Sequence, residues 1–219
     1  PTDLAIELLY LAEAKAAVLG ELARMNRRLR GAMQQAEEQA LTDTLTGLRN
    51  RRAMERRLEL MLARGIGFAL LHLDLDYFKA VNDTLGHAAG DHVLIEVGRI
   101  LQASVRENDL VTRVGGDEFI ILLPAVHEAA LVEHLGERIR AQVAQPIPFG
   151  DRCCHVAVSI GAILSRDYRN PRADRLLCDA DHALYTAKRG GRGRMVLARP
   201  GVAADGTALP AAQVPAGAT

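Results

Sequence analysis

The stretch Leu110-Val-Thr-Arg-Val-Gly-Gly-Asp-Glu-Phe-Ile-Ile-Leu-Leu123 decides the fold of this 219-residue chain. Two apolar runs of strand length, at 110–114 and 119–123, flank the segment Gly115-Gly116-Asp117-Glu118. Glycine readily adopts the positive φ angles that tight turns need, so the pattern predicts a β-hairpin. Two adjacent carboxylates, Asp117 and Glu118, would then lie at the tip of that hairpin.

The sequence on either side of the hairpin indicates a mixed α/β domain. Residues 68–74 form an apolar run of strand length that ends on Asp74. Helical spacing is found at 91–105, 128–143 and 173–188, and further strands are predicted at 153–164 and 195–197. We therefore expect an α/β (α+β) domain over residues 41–198.

Residues 1–40 have a different pattern, which predicts a long helix. Positions spaced alternately by four and three residues form a heptad seam: Leu4, Leu8, Leu11, Lys15, Val18, Leu22, Met25, Leu29, Ala32 and Ala36. This pattern predicts a parallel dimeric coiled coil; the alternative is one amphipathic helix that packs on its own domain. At the other end, residues 199–219 are rich in Pro, Gly and Ala and are predicted to be a disordered tail.

Acidic side chains mark the ends of the predicted strands. Asp74 ends one strand, Asp76 would share its face two residues later, and Asp117 and Glu118 occupy the hairpin turn. Carboxylates in such positions suit Mg²⁺, which prefers hard oxygen ligands. Aspartate is also common in turns for conformational reasons alone, so each residue by itself is a weak signal.

Four segments carry a resemblance to a known enzyme family. They are Asp43-Thr-Leu-Thr-Gly-Leu-Arg-Asn-Arg51, Asp74-Leu-Asp-Tyr-Phe-Lys-Ala-Val-Asn-Asp-Thr-Leu-Gly-His-Ala-Ala-Gly-Asp91, Gly115-Gly-Asp-Glu-Phe119 and Asp181-His-Ala-Leu-Tyr-Thr-Ala-Lys-Arg-Gly-Gly-Arg192. In this order they resemble the opening motif, the metal- and guanine-binding segment, the signature and the closing motif of the GGDEF family of diguanylate cyclases. The resemblance implies a mostly antiparallel central sheet flanked by helices, the palm-like fold of nucleotidyl cyclases, preceded by the N-terminal helix.

The resemblance also implies a reaction and its site. Two GTP molecules would condense to cyclic di-GMP, with release of two pyrophosphates, across a homodimer that holds one GTP in each subunit. Mg²⁺, with Mn²⁺ as an alternative, would be held by Asp74, the backbone carbonyl of Leu75 and Asp117, while Glu118 would be a further metal ligand or the base. Asn82 and Asp91 would bind the guanine base of GTP. The phosphates would be bound by the side chains of Lys188 and Arg192 and by the backbone amides of Tyr77, Phe78 and Lys79. At Gly115 and Gly116 the backbone would approach the nucleotide.

A second site is implied by Arg106-Glu-Asn-Asp109. Its spacing is similar to the RxxD inhibitory site of the family, where cyclic di-GMP as product would bind Arg106 and Asp109, with Arg113 as a further contact. The alternative is a surface Arg–Asp ion pair that contributes almost nothing to stability.

Several functions remain open on the sequence alone. The favoured one is a diguanylate cyclase that receives its signal through the coiled coil from an upstream sensor domain or partner. The rivals are a non-enzymatic receptor for cyclic di-GMP, a GTP-binding regulatory domain, and an enzyme that makes a different cyclic dinucleotide. The first two usually accompany loss of the acidic hairpin residues, and here Asp117 and Glu118 are present.

Composition narrows the setting in which the chain works. The 27 Lys and Arg balance the 27 Asp and Glu, so there is no reason to expect nucleic acid as a partner. No uncharged apolar run approaches the ~18 residues of a membrane span, and the three cysteines cannot form a disulfide framework. We therefore expect a cytoplasmic protein without a membrane segment.

The histidine at 72 and the Cys-Cys-His run at 153–155 are expected to have structural roles rather than catalytic or metal-binding ones. His72 on the apolar strand is expected to be a satisfied core or surface histidine. Cys153-Cys154-His155 is expected to be a partly buried strand rather than a metal site, because adjacent cysteines chelate poorly.

Overall fold

The protein is seen in a computed structural model that describes residues 2–198, without the side chains of residues 2, 4–10, 12–14, 17 and 34–36. The predicted tail at 199–219 lies outside the described residues, as do the seam side chains of Leu4, Leu8 and Ala36. The chain divides into two compact units, Pro1–Leu41 and Thr42–Thr219. No helix within residues 2–198 is both long and apolar enough to cross a membrane.

The first unit is a single helix, α1 (Thr2–Ala40), as the heptad spacing predicted. Five described side chains of the seam are 58–71% exposed: Leu11, Val18, Leu22, Met25 and Leu29. A row of exposed large apolar side chains on one helix is unusual for a surface that meets only water. The pairing of this helix with a second copy stays a prediction.

The second unit is built on a six-stranded sheet with helices on both faces. Within the described residues its helices are α2 (Arg51–Ala63), α3 (Phe78–Leu85), α4 (His87–Ser104), α5 (Ala129–Val143) and α6 (Ala173–Arg189). The strands of the sheet are β1 (Arg49–Asn50), β2 (Phe68–Asp76), β3 (Leu110–Gly115), β4 (Glu118–Pro124), β7 (Ala157–Leu164) and β8 (Met195–Leu197), and β5 (Ile147–Phe149) pairs with β6 (Arg152–Cys154) in a separate hairpin.

The order of strands in the sheet is β1-β3-β4-β2-β7-β8. The three central pairings, β3 with β4, β4 with β2 and β2 with β7, are antiparallel, whereas β1 and β8 join the edges in parallel. The predicted mostly antiparallel sheet flanked by helices is therefore confirmed. The strand β2 lies in the middle, so its carboxyl end is reached from both sides of the domain.

Side-chain alternation along β2 decides which residues meet which helices. Leu71 and Leu73 belong to the core cluster that contains residues of α4 and α5, whereas Phe68 and Leu70 belong to the cluster with α2 and α6. Because side chains in a strand alternate between faces, His72, Asp74 and Asp76 share the face of Phe68 and Leu70. The carboxylates at the end of β2 therefore point toward α6.

Close packing brings α6 onto this face of the sheet. A Cβ at Gly161 of β7 would lie 2.1 Å from the carbonyl oxygen of Ala180 and 2.3 Å from the backbone nitrogen of Leu184. Any side chain at residue 161 would therefore push α6 away from the strands. The glycine sets the distance at which residues of α6 reach the end of β2.

The prediction of one strand over 153–164 is wrong. The segment is divided into β6 and β7, which belong to different sheets, and His155 and Val156 separate them. The physical reason is the turn at Gly150, whose φ of +57° allows Phe149 to pair with Arg152 in a local hairpin. Helix α3 was not predicted, and α4 begins at His87, four residues before the predicted helix at 91–105.

The opening motif is fastened to the hairpin of β3 and β4 by an ion pair. The Asp43 carboxylate accepts hydrogen bonds from the backbone N–H and the hydroxyl of Thr46, at 2.9 and 2.7 Å, and from Arg113 at 3.1 Å. Arg113 also donates to the carbonyl of Gly116 at 2.9 Å. Burial by itself would raise the pKa of Asp43, but the hydrogen bonds from Thr46 and the charge of Arg113 lower that pKa overall.

We expect Asp43→Asn to lower the free energy of unfolding at neutral pH by about 1–3 kcal/mol, because charge-assisted hydrogen bonds to Arg113 are lost. A lowered folded-state pKa means that the contribution of Asp43 is present above the unfolded pKa and is lost as pH falls through the folded value. Urea unfolding of both proteins across the acidic range should therefore show the difference shrinking below about pH 4. An equal effect from Asp151→Asn, at an exposed turn, would contradict this role.

Candidate active site

Strand register places the acidic residues of two distant motifs side by side. In the antiparallel pairing of β2 with β4, Asp74 lies opposite Glu118. The backbone N–H of Leu75 donates to the carbonyl of Asp117 at 3.2 Å, which holds the hairpin turn against the end of β2. Gly116 in that turn has a φ of +50°, a conformation that favours glycine. The three carboxylates predicted for catalysis therefore belong to one cluster.

Lys188, near the end of α6, contacts this cluster directly. Its Nζ lies 2.6 Å from Oδ2 of Asp74. Burial raises the pKa of Asp74, the hydrogen bond and charge of Lys188 oppose that rise, and the charges of Asp117 and Glu118 add to it. A single ammonium group beside three carboxylates leaves excess negative charge, and the ligand atoms are hard oxygens. These residues fit a divalent cation such as Mg²⁺.

Asp76 has a structural role that the sequence did not specify. The residue is 3% exposed, and its Oδ2 accepts from the hydroxyl of Ser159 at 2.8 Å and from the backbone N–H of Gly193 at 2.9 Å. Nε of Arg192 lies 3.7 Å from the second oxygen, Oδ1, which has no hydrogen-bond partner among the described residues. Asp76 thus holds the closing motif against the sheet, and its position on the face of Asp74 was the only signal in the sequence.

Four of the residues predicted to bind phosphates lie at or beside the start of α3: Tyr77, Phe78, Lys79 and Arg192. Tyr77 and Arg192 both have left-handed backbones, with φ of 67° and 62°. The guanidinium carbon of Arg192 lies 5.9 Å from the centre of the Tyr77 ring, within range of a cation–π contact. Phe78 and Lys79 follow in the first turn of α3, whose N-terminal amides suit anions.

The two predicted guanine contacts are brought together by the tight pairing of α3 with α4. Asn82 lies on α3, and Asp91 follows Gly90 on α4. A Cβ at Gly90 would lie 2.0 Å from Oδ1 of Asn82 and 3.2 Å from Cζ of Phe78. Asn82 therefore packs directly on the backbone next to Asp91, and any larger residue at 90 would displace its amide.

His72 does not fit the expectation of a satisfied histidine. Its ring is 12% exposed, and Nε2 has no hydrogen-bond partner among the described residues. Nε2 lies 3.9 Å from the Glu118 carboxylate, and Nδ1 lies 3.7 Å from that of Asp181 on α6. Burial lowers the pKa of His72, and the charges of Glu118 and Asp181 oppose this shift. His72 lies beneath the acidic cluster, where the apolar pattern of β2 gave no signal of a site.

The predicted inhibitory residues lie away from this cluster. The carboxylate of Asp109 accepts from the backbone N–H of Arg106 at 2.8 Å, so the motif forms a turn. A cavity of about 550 Å³ next to this turn is lined by both residues and by His134 and Arg138 of α5. Arg113, predicted as a further contact, instead binds Asp43 and Gly116. Arg138 was missed because α5 carries no motif, and only the fold brings it to Arg106.

Comparisons with known proteins show the family of the chain. Residues 40–194 match the protein family described as "Diguanylate cyclase, GGDEF domain". Diguanylate cyclase TpbB of Pseudomonas aeruginosa strain UCBPP-PA14 is 39% identical over 197 residues, which are 88% of this chain and 45% of that protein. The chain thus spans less than half the length of this relative.

Two solved structures are similar to the chain. One contains the coiled coil and GGDEF domain of DgcB from Caulobacter crescentus in complex with c-di-GMP, with a TM-score of 0.77, 31% identity, and coverage of 83% of this chain and 98% of that chain. The other is diguanylate cyclase SiaD of Pseudomonas aeruginosa with its activator SiaC, with a TM-score of 0.69, 33% identity, and coverage of 90% and 78%. The motifs, the antiparallel sheet and these matches lead to one conclusion: the chain belongs to the GGDEF-domain family of diguanylate cyclases.

Proposed function

We propose that the chain is a diguanylate cyclase that condenses two GTP molecules to cyclic di-GMP and releases two pyrophosphates. The observation that carries this proposal is the cluster of Asp74, Asp117 and Glu118 at one end of the sheet, with Lys188 against it. The family membership and the intact acidic hairpin support catalysis rather than binding alone. The cytoplasm is the proposed setting.

Asp74, Asp117 and the backbone carbonyl of Leu75 would hold Mg²⁺ or Mn²⁺ in this proposal. The chemistry such a metal supplies when bound is neutralisation of phosphate charge and activation of the attacking 3′-hydroxyl. Glu118, whose side chain is 41% exposed, is accessible enough to take the hydroxyl proton or to serve as a further ligand.

The remaining residues would bind and orient GTP. Lys188 and Arg192 supply positive charge for the phosphates, beside the backbone amides of Tyr77, Phe78 and Lys79. Asn82 and Asp91 would hydrogen-bond the guanine edge, and adenine would leave these groups without partners. Gly115 and Gly116 leave open space, since a Cβ on either would have no atom of the described residues within 4 Å.

We expect the parent protein to form cyclic di-GMP from GTP and Mg²⁺, and Asp117→Ala to be slower by ~100-fold or more, because a metal carboxylate is lost. Mass spectrometry of the products after removal of any bound cyclic di-GMP checks this expectation. Asp151→Ala is the matched control and should keep the parent rate. GTP binding without product in the parent would point to a regulatory GTP-binding domain instead.

Gly90→Ala tests the proposed guanine site without replacing a residue that is proposed to contact GTP. The new methyl group would displace the Asn82 amide, so we expect KM for GTP to rise by about 10- to 100-fold, with discrimination against ATP reduced. Gly20→Ala in α1, where a Cβ meets no atom of the described residues within 4 Å, is the matched control. If Gly90→Ala folds normally and keeps the parent KM, Asn82 does not bind the base.

Product inhibition is proposed at the cavity beside Arg106 and Asp109. Arg106 and Arg138 would bind the phosphates or guanine edges of cyclic di-GMP, and Arg138 is held there by a hydrogen bond of 2.6 Å to the carbonyl of Ser104. The structure of DgcB with c-di-GMP supports binding of this product within the family.

We expect Arg106→Ala and Arg138→Ala each to raise by at least ~10-fold the concentration of cyclic di-GMP that halves the initial rate, since a charge-assisted hydrogen bond is removed. The comparison protein is Arg152→Ala, which changes an exposed arginine of β6. An unchanged inhibition curve in both variants would show that the product acts elsewhere or not at all.

Helix α1 is proposed to pair two chains so that two GTP-bound halves can face each other. Its exposed apolar seam supports this pairing, and the solved coiled coil of DgcB supports it by similarity. An upstream sensor domain or a separate partner would then act on the helix pair and change its geometry. The complex of SiaD with its activator SiaC supports control of a related cyclase by a separate protein.

We expect Leu22→Glu to lower both the dimer fraction and the specific activity at low protein concentration, because a charge is placed on the apolar seam. Ala23→Glu adds the same charge one residue later on an exposed position off the seam and should leave both unchanged. Sedimentation measures the dimer fraction and initial rates measure the specific activity, both over the same range of protein concentrations. Equal behaviour of the two variants would argue against the coiled coil.

A further inference from the structure

We propose that Cys178, Asp179 and His182 of α6 form a binding site for a zinc-type transition-metal ion. This site is separate from the carboxylate cluster of Asp74 and Asp117, and the proposal does not rest on the proposed cyclase activity. The ligand atoms of the three residues all lie within 4.8 Å of one another. Cys178 and His182 are exposed, so an ion can reach them from solvent.

The spacing of the ligand atoms matches a tetrahedral metal centre. Residues four apart share one face of a helix, and Sγ of Cys178 lies 3.8 Å from Nδ1 of His182. With Zn–S of about 2.3 Å and Zn–N of about 2.0–2.1 Å, tetrahedral geometry separates the two ligand atoms by about 3.6 Å. Binding therefore requires little movement of either side chain.

Asp179 is already held in position for a ligand. The residue is 8% exposed, and its Oδ2 accepts from the hydroxyl of Tyr168 at 2.9 Å and from Nε of Arg175 at 3.0 Å. Both bonds use the same oxygen, and Oδ1 accepts no hydrogen bond from the described residues, so Oδ1 is the atom we assign to the metal. Fixed outer partners of this kind orient the ligands of metal sites.

Arg175 places a positive charge beside the proposed site. The pKa of Arg175 is raised, first by its hydrogen bond to Asp179 and in smaller part by the charge of Cys178, so the guanidinium lies within electrostatic reach of the sulfur. The same charge weakens attraction for a cation, so we expect an exchangeable site rather than a permanent one.

The donor set selects the class of ion. A thiolate and an imidazole prefer Zn²⁺ and related transition metals, whereas Mg²⁺ requires hard oxygen ligands. Three ligands from the protein leave a fourth position for water, which is typical of open zinc sites. Excess Mg²⁺ should therefore occupy the carboxylate cluster without displacing an ion from Cys178 and His182.

Cobalt spectroscopy tests the site with the full chain in excess Mg²⁺ and a phosphine reductant, so that no added thiol contributes. Co²⁺ bound to a cysteine thiolate gives a sulfur-to-metal charge-transfer absorption that oxygen ligands cannot give. We expect this absorption in the parent, in Cys153→Ser and in Asp117→Ala, and its loss in Cys178→Ser. Retention in Cys178→Ser, or loss in either of the other two variants, would overturn the assignment.

Zinc affinity, measured by competition with a chromophoric chelator, tests the remaining ligands. His182→Gln and Asp179→Asn should each weaken binding by about 10-fold or more, and the loss in Asp179→Asn should persist where circular dichroism shows a folded α6. Parent affinity in His182→Gln would contradict a tetrahedral site. If the Asp179→Asn variant is folded and binds zinc with the affinity of the parent protein, the Asp179 carboxylate is not a ligand of the site.

Discussion

The antiparallel register of β2 against β4 is the constraint on which the rest of the site depends. It sets Asp74 opposite Glu118 and brings the Asp117 turn against Leu75, so three acidic side chains meet at one end of the sheet. Burial raises the pKa of Asp74, and the charges of Asp117 and Glu118 add to that rise. Positive charge is therefore favourable at the same place, and Lys188 supplies it.

Helix α6 supplies this positive charge from one face of the sheet. Gly161 lets the helix pack directly on β7, and this close approach allows Lys188 to reach Asp74. Asp181, on the same helix, lies beside the buried ring of His72. The helix therefore brings Lys188 and Asp181 to this end of the sheet, and the distance between α6 and β7 sets how closely both side chains approach β2.

Two further aspartates stabilise the segments around the cluster without belonging to the proposed metal ligands. Asp43 binds Arg113 and so connects the opening motif to the hairpin that carries Asp117. Asp76 accepts from Gly193 and holds the closing motif near Arg192. These contacts hold motifs that are far apart in the sequence next to the acidic cluster. A nucleotide-binding site needs side chains that are fixed in this way.

The sequence by itself determined the hairpin, the long first helix, the α/β class and the residues of the acidic cluster, because periodicity, turn glycines and motif order are local properties. Only the tertiary structure decided which of these residues touch: Arg113 reaches Asp43 across 70 positions, and Gly193 reaches Asp76 across 117. It also divided the predicted strand at 153–164, placed Arg138 and Arg106 around one cavity and left Nε2 of His72 without a hydrogen-bond partner among the described residues. These outcomes depend on how sheets and helices pack across long separations, which no local pattern encodes.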